Sequence, residues 1–185
     1  MPLHNVAHRM NVVLTTAFMF LLVLVAANWL SHFALRAEPR LAVSVAKVNI
    51  LTREDFLPRL PDMSRKYQPL RRDVANVSLA ISMDLTPLFH WNTKMVFVYA
   101  YAEWPSKNNA VNQIVLWDAI AQSADDAVLE FPALGAEYRL SDQGFGLRGK
   151  TLNLTVVYNR IPHTGPLEWR EYPMPSFTMP ADYSQ

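Results

Sequence analysis

Residues 95–102, MVFVYAYA, carry no charge, are apolar on both faces of a strand, and are rich in β-branched and aromatic side chains. A strand of this kind belongs in the middle of a sheet, with something packed against each side. Upstream, residues 74–85 run at a period close to two. Val77, Leu79, Ile81, Met83 and Leu85 alternate with Ser78, Ala80, Ser82 and Asp84, and Thr86-Pro87 ends the run. Downstream, residues 112–120 read as another strand, with Ile114, Leu116 and Asp118 on one face, and residues 127–131 as a short one. Leu140-Ser141-Asp142-Gln143-Gly144 carries turn chemistry, which Gly146 and Gly149 extend. Residues 151–158 alternate cleanly, Leu152, Leu154, Val156 and Tyr158 against Thr151, Asn153 and Thr155.

Further out, Leu41, Val43, Val45 and Val48 open a similar alternation. Pro58, Pro61 and Pro69, with Arg53, Arg59, Arg65, Lys66, Arg71 and Arg72 around them, make residues 53–72 a basic loop. Such loops are ordinarily solvated, lipid headgroups or a partner being the other takers for the charge. From Ile161 on, Pro162, Pro166, Pro173, Pro175 and Pro180 rule out a regular helix or a central strand. That tail still has apolar surface to pack at Trp169, Tyr172 and Phe177. Short strands at near-regular spacing predict a mainly β chain, an antiparallel β-sandwich.

Ahead of the sandwich lie residues 12–30, VVLTTAFMFLLVLVAANWL, uncharged and with only Thr15, Thr16 and Asn28 appreciably polar. As a helix this run rises about 28 Å, close to the hydrocarbon thickness of a bilayer. A helix is also the only form a lone segment can take in lipid. Trp29 ends the run, where an amphipathic ring prefers the water–lipid boundary. The rival is a cleaved secretory signal with Val25-Ala26-Ala27 as its small-residue site. Signals need only about 7–15 apolar residues, and this run continues through Trp29 and Leu30, so an uncleaved anchor is expected. The resulting organisation is a short polar head at 1–11, too brief to fold, and a membrane helix at 12–33. A β domain at 34–185 follows, entered through the stiff linker Arg36-Ala37-Glu38-Pro39-Arg40 and closed by the Pro-rich tail.

The 185 residues leave room for the anchor and one domain of about 150. A net charge of +1 gives no electrostatic case for nucleic acid. Cysteine is absent, which excludes disulfides and cysteine metal sites. Orientation is contested within the sequence. Arg9 precedes the span while Arg36, Arg40 and Lys47 follow it, which would hold the C-terminal side in the cytoplasm. Two N-x-[ST] sequons, at Asn76 and Asn153, pull the other way, and the residues alone leave topology open.

No known catalytic pattern stands out. His4, His8, His32, His90 and His163 are scattered, without metal-ligand spacing, and no nucleophile elbow, P-loop or dinucleotide glycine pattern occurs. His90, between Phe89 and Trp91, reads as a satisfied structural residue. Adjacent residues in a turn seldom bring a lysine nitrogen onto the neighbouring hydroxyl, so Ser106-Lys107 is not read as a dyad. Asp125-Asp126 reads as a solvated turn. No catalytic residue, cofactor or metal site is expected.

The block Phe89-His90-Trp91-Asn92-Thr93-Lys94, then the strand, then residues 102–118, AEWPSKNNAVNQIVLWD, resembles the signal peptidase complex subunit 3 family. In that family F-x-W-N-x-K leads through a strand and a turn to K-N-N-x-x-N-Q-x-x-L-W-D. Phe89, Trp91, Asn92, Lys94, Lys107, Asn108, Asn109, Asn112, Gln113, Leu116, Trp117 and Asp118 carry the match. The anchor, the G-x-G-L-x-G at Gly144 to Gly149, and Tyr158-Asn159 followed by Pro162 extend it more weakly. The resemblance implies a single-pass type II protein of the endoplasmic reticulum, N-terminus cytosolic and sandwich lumenal. It further implies a non-catalytic subunit that supports a separate serine-protease subunit, with other small membrane subunits as partners and transient contact with translocon and signal peptides. It places a glycan near Asn153, with Asn76 as the second candidate. Read from the residues alone, Trp91, Trp104 and Trp117 would fill a core and Asn108-Asn109 would supply a left-handed turn. Lys94, Lys107, Asn108, Asn109, Asn112 and Asp118 would fix loops, or the 107–112 hairpin would brace a docking surface. Rival readings are a lumenal sandwich that binds glycans or client proteins without a protease partner, and a membrane-tethered hydrolase.

Overall fold

A computed structural model describes residues 5–34, 37–55 and 70–184. Helix α1 (Val6–Ala34) precedes the strands β1 (Arg40–Asp55), β2 (Leu70–Asp84), β3 (Thr93–Trp104) and β4 (Asn112–Ala121). Then follow β5 (Val128–Gly135), β6 (Leu140–Ser141), β7 (Thr151–Pro162) and β8 (Glu168–Thr178). All pairings are antiparallel. One sheet has the order β1-β2-β5 with β6 also paired to β2, and the other β4-β3-β7-β8. Leu79, Ile81 and Met83 of the first sheet and Val96, Val98, Ala100, Leu154 and Val156 of the second belong to one buried cluster. Alternation on each strand thus supplies the inner face of a two-layer sandwich.

Helix α1 starts at Val6, within the head expected to be unfolded. Asn5 Oδ1 accepts the Ala7 amide at 3.0 Å and caps the first turn. Once the apolar run has formed a helix, backward extension through Pro-free residues carries no new nucleation cost.

The β1–β2 hairpin also reaches further than expected. Arg53 pairs with Arg72, Glu54 with Arg71 and Asp55 with Leu70, inside the stretch read as a loop. The prolines that prompted the loop reading, Pro58, Pro61 and Pro69, all fall at 56–69, outside the described residues. The flanks have free amides and continue the ladder.

The proline-rich tail forms β8, paired to β7 with Pro173 opposite Thr155. It is an edge strand, a position where a missing amide hydrogen is tolerated. Beyond it the chain straps back across the sandwich. The Met179 amide donates to the Lys150 carbonyl (2.8 Å), the Ser184 amide to the Ile50 carbonyl (2.8 Å), and the Tyr183 hydroxyl to Asp73 Oδ1 (2.8 Å). Fully buried Asp73 also accepts the Leu147 amide on Oδ2 (3.1 Å), which fastens the 144–149 glycine loop to the core. Gly149 has a φ of 66°, a turn that favours glycine.

Candidate docking site

The residues of the F-x-W-N-x-K and K-N-N-x-x-N-Q-x-x-L-W-D blocks do not meet in one place. Phe89 to Lys94 lie at one end of β3 and Lys107 to Gln113 at the other, about 36 Å apart along the strand, while Trp117 and Asp118 pair with its middle. Leu116 and Trp117 are core residues, and Phe89 packs against the same cluster. Lys94 and Gln113 are exposed, Asp118 half-buried. Trp91 departs from its expected core role: it is 65% exposed, because the turn after the Thr86–Leu88 3-10 helix points it outward, while Trp104 and Trp117 are buried.

At the end nearer α1, polar side chains act as staples. Asn92 is 1% exposed. Its Oδ1 accepts from Asn28 Nδ2 (3.0 Å) and from the Thr164 amide (3.0 Å), and its Nδ2 donates to the Thr164 carbonyl (2.9 Å). One side chain thereby ties the helix, the 90–92 turn and the β7–β8 turn together. His90 has the structural role read for it: Nδ1 accepts the Asn92 amide (3.1 Å) and Nε2 contacts Arg160 Nη1 (3.1 Å). Buried Arg160 is neutralised by Glu168, which also pairs with Arg170 at 3.3 Å.

At the far end, Asn109 Nδ2 donates to Asn112 Oδ1 (2.9 Å), and Asn112 Nδ2 to the Trp104 carbonyl (3.1 Å). The Ser106 hydroxyl accepts the Asn109 amide (3.1 Å), so it is engaged by the turn, not by exposed Lys107. Lys150 Nζ donates to the Pro105 carbonyl at 2.6 Å. Among the described residues no residue other than glycine has a positive φ, so the expected left-handed role of Asn108-Asn109 does not hold. Side-chain bonds make this turn instead. Lys107 and Asn108 project from it, and a polar cleft of about 430 Å³ separates it from the glycine loop at Asp142 to Gly146.

Between the two ends lies the outer face of the β4-β3-β7-β8 sheet. Here Phe97, Tyr99 and Tyr101 follow one another along β3, with ring centroids 5.5 and 6.2 Å apart. Ile120 and Trp169 continue this face on the flanking strands, 55% and 61% exposed. The inner side of β3 meets the core, while on its outer side Phe97 and Tyr99 are only half-buried and Tyr101 is buried. Burial raises the Tyr99 phenol pKa, with the Glu171 carboxylate and Tyr101 adding to it, so this face keeps a neutral hydroxyl. At the margin, Asp118 raises the Tyr138 phenol pKa, and the Glu137 and Tyr138 amides donate to the Leu116 carbonyl (2.9 and 3.1 Å), which holds the loop after β5 to β4.

Both sequon asparagines are exposed on outer faces, Asn76 on β2 and Asn153 on β7 opposite Glu103. Asn153 lies at the polar, far end of the aromatic face. No signal in the sequence separated inner from outer residues of β3, because both sets are apolar.

Residues 3–182 match a family described as signal peptidase subunit. The chain is similar to proteins named signal peptidase complex subunit 3 in several organisms. Identity is 35% to that of Gallus gallus over 165 residues, covering 84% of this chain and 86% of the relative. It is 32% to that of Dictyostelium discoideum over 148 residues (76% and 86%), and 38% to that of Homo sapiens over 96 residues (51% and 53%).

Proposed function

Since the chain belongs to the signal peptidase subunit family, we propose that it is a non-catalytic accessory subunit of a signal peptidase complex in the endoplasmic reticulum membrane. Helix α1 crosses the bilayer with its N-terminus cytosolic, and the sandwich stands in the lumen. There it binds a serine-protease subunit and holds that subunit's catalytic centre at a fixed position relative to the bilayer. Holding reacting groups in place is a genuine contribution, because small misplacements of a reacting pair are costly. Neighbouring small membrane subunits complete the assembly, and translocon and signal peptides are met transiently.

The observation that carries this reading is the open aromatic face of β3. A strand that is apolar on both sides calls for two covers, and the described residues leave the outer one incomplete over Phe97 and Tyr99. A protease subunit is the natural second cover, since contiguous aromatic surface marks protein interfaces. The 107–112 turn prolongs β3 and β4, so it borders that interface at its far end. Co-purification of the full complex in mild detergent tests the reading, and loss of the catalytic subunit on removal of this chain is the expected result. Peptidase activity from this chain by itself would defeat it.

Two smaller predictions follow from the same geometry. Asn109→Ala removes the bond to Asn112 and should lower stability by about 1 kcal/mol, whereas Asn108→Ala should leave the melting temperature unchanged. If the turn braces the docked subunit, Asn108→Ala will weaken assembly without changing the fold, and unaltered assembly in both variants would limit the turn to folding. Glycosidase treatment of the membrane-bound protein should shift its mobility. Asn153→Gln should remove a step of that shift, and Asn76→Gln the other where both sites are occupied. A wild-type protein with no shift would contradict the lumenal placement.

A further inference from the structure

We propose that the end of the sandwich nearest α1 is itself a lipid-binding surface: Trp91 and Leu167 enter the headgroup layer of the leaflet from which the helix emerges. The inference rests on the reading of α1 as a membrane span and deepens it.

The level of the bilayer relative to the sandwich is fixed by contacts at the helix end. The apolar run finishes at Trp29-Leu30. Asn28, one residue before, is hydrogen-bonded to Asn92 at 3.0 Å. Trp29 lies so close to the β7–β8 turn that a Cβ on Gly165 would come within 2.6 Å of its indole Cδ1. Gly165, at a φ of 112°, is the residue that permits this approach. The 90–92 and 163–167 turns therefore stand level with the last turn of the apolar run. Headgroups occupy only about 6 Å on each side of the hydrocarbon, so no layer of bulk water fits between these turns and the lipid.

The residues these turns present are suited to that depth. Trp91 is 65% and Leu167 64% exposed, although each neighbours a tightly fastened position. Trp169, 61% exposed, follows one step above. Tryptophan favours the interface for its amphipathic ring, and leucine for its apolar area. The opposite end of the sandwich offers Lys107, Asn108 and Asn109, with exposed Val111 and Phe145 among them, and carries no contact to the helix among the described residues. Charge at the helix end is mixed: exposed Lys94 is offset by exposed Asp125 and Asp126 of the β4–β5 connection. Contact of this kind needs no anionic lipid.

The absence of cysteine makes a direct test simple. Trp91→Cys, Leu167→Cys, Asn108→Cys and Phe20→Cys are spin-labelled singly in the full chain and reconstituted into phosphatidylcholine vesicles at low protein-to-lipid ratio. Accessibility to oxygen and to a water-soluble nickel chelate is then read at each site. The expected result is loss of nickel access at 91 and 167 relative to 108, with 20 the most deeply protected. Nickel access at 91 and 167 equal to that at 108, with 20 still protected, overturns this inference and leaves the span intact. Nickel access at 20 overturns the span and the inference together. Protection at 91 and 167 that grows with protein-to-lipid ratio identifies a second copy as the cover and also overturns it.

Discussion

Tyr99→Asp is expected to release this chain from the catalytic subunit while the sandwich stays folded. Tyr99 is central to the outer face of β3, with Phe97 and Tyr101 as its ring neighbours. Aromatic anchors at the centre of an interface are worth about 2–4 kcal/mol on truncation. That corresponds to roughly 30- to 1,000-fold in affinity. A carboxylate at this point adds desolvation cost and repulsion from Asp118, directly opposite on β4. The substitution spares the core, since Val98 and Ala100 on either side face inward. Quantitative co-purification from detergent, paired with thermal melts, separates the two effects. Tyr99→Phe, which keeps the ring, should retain most of the complex. Wild-type recovery of the catalytic subunit with Tyr99→Asp would show that this face docks nothing.

Much of the fold was legible because the strands keep a strict period. In 74–85 the alternation became a half-buried strand in the expected phase, whereas in 151–158 the apolar set faces the core as expected but Thr155 and Val157 on the other face are buried too. Legibility failed where the local signal was permissive. Residues 53–55 and 70–72 carry charges and neighbour prolines, yet they pair because a long hairpin already fixes their register. In residues 168–178 the prolines exclude a regular helix or a central strand, and no local signal says what the tail forms instead. That an edge was available to them depended on the order of the whole sheet.

The candidate site was less legible than the fold. Of the polar residues expected to fix loops by side-chain bonds to backbone, Asn112 does so at the Trp104 carbonyl, and the left-handed geometry that asparagine tolerates does not occur in the K-N-N turn. Hydrophobicity alone would put Trp91 in a core with Trp104 and Trp117, yet a single exposed aromatic such as Trp91 carries no contradiction. Asn28 drew notice only as a polar interruption of the span. Its partner, Asn92, is 64 residues away, and no local pattern links them.

Asp73→Ala is expected to be the most destabilising single change in the sandwich. The carboxylate is fully buried, takes the Leu147 amide at 3.1 Å and the Tyr183 hydroxyl at 2.8 Å, and so fastens both the glycine loop and the C-terminal strap. Alanine strands both donors. Hydrogen bonds to charged groups contribute about 1.5–3 kcal/mol each, which puts the loss near 3–5 kcal/mol. Against a total of about 5–15 kcal/mol that is a large share, and the melting temperature should fall by roughly 10 °C. Tyr183→Phe removes one of the two bonds and should cost about 1–2 kcal/mol. Because the residues share a bond, the double variant should lose less than the sum of the singles. The backbone of Asp73 adds two further ties, donating to the Gly144 carbonyl (2.8 Å) and accepting the Asp142 amide (3.1 Å). These survive the substitution, so the loop should loosen at Leu147 before it detaches. A melting temperature within about 2 °C of wild type would mean that the loop and strap are held by packing alone. In that case the cleft beside the 107–112 turn would owe its shape to the apolar side chains of Leu147 and Met179, both buried in the core cluster, and not to this carboxylate.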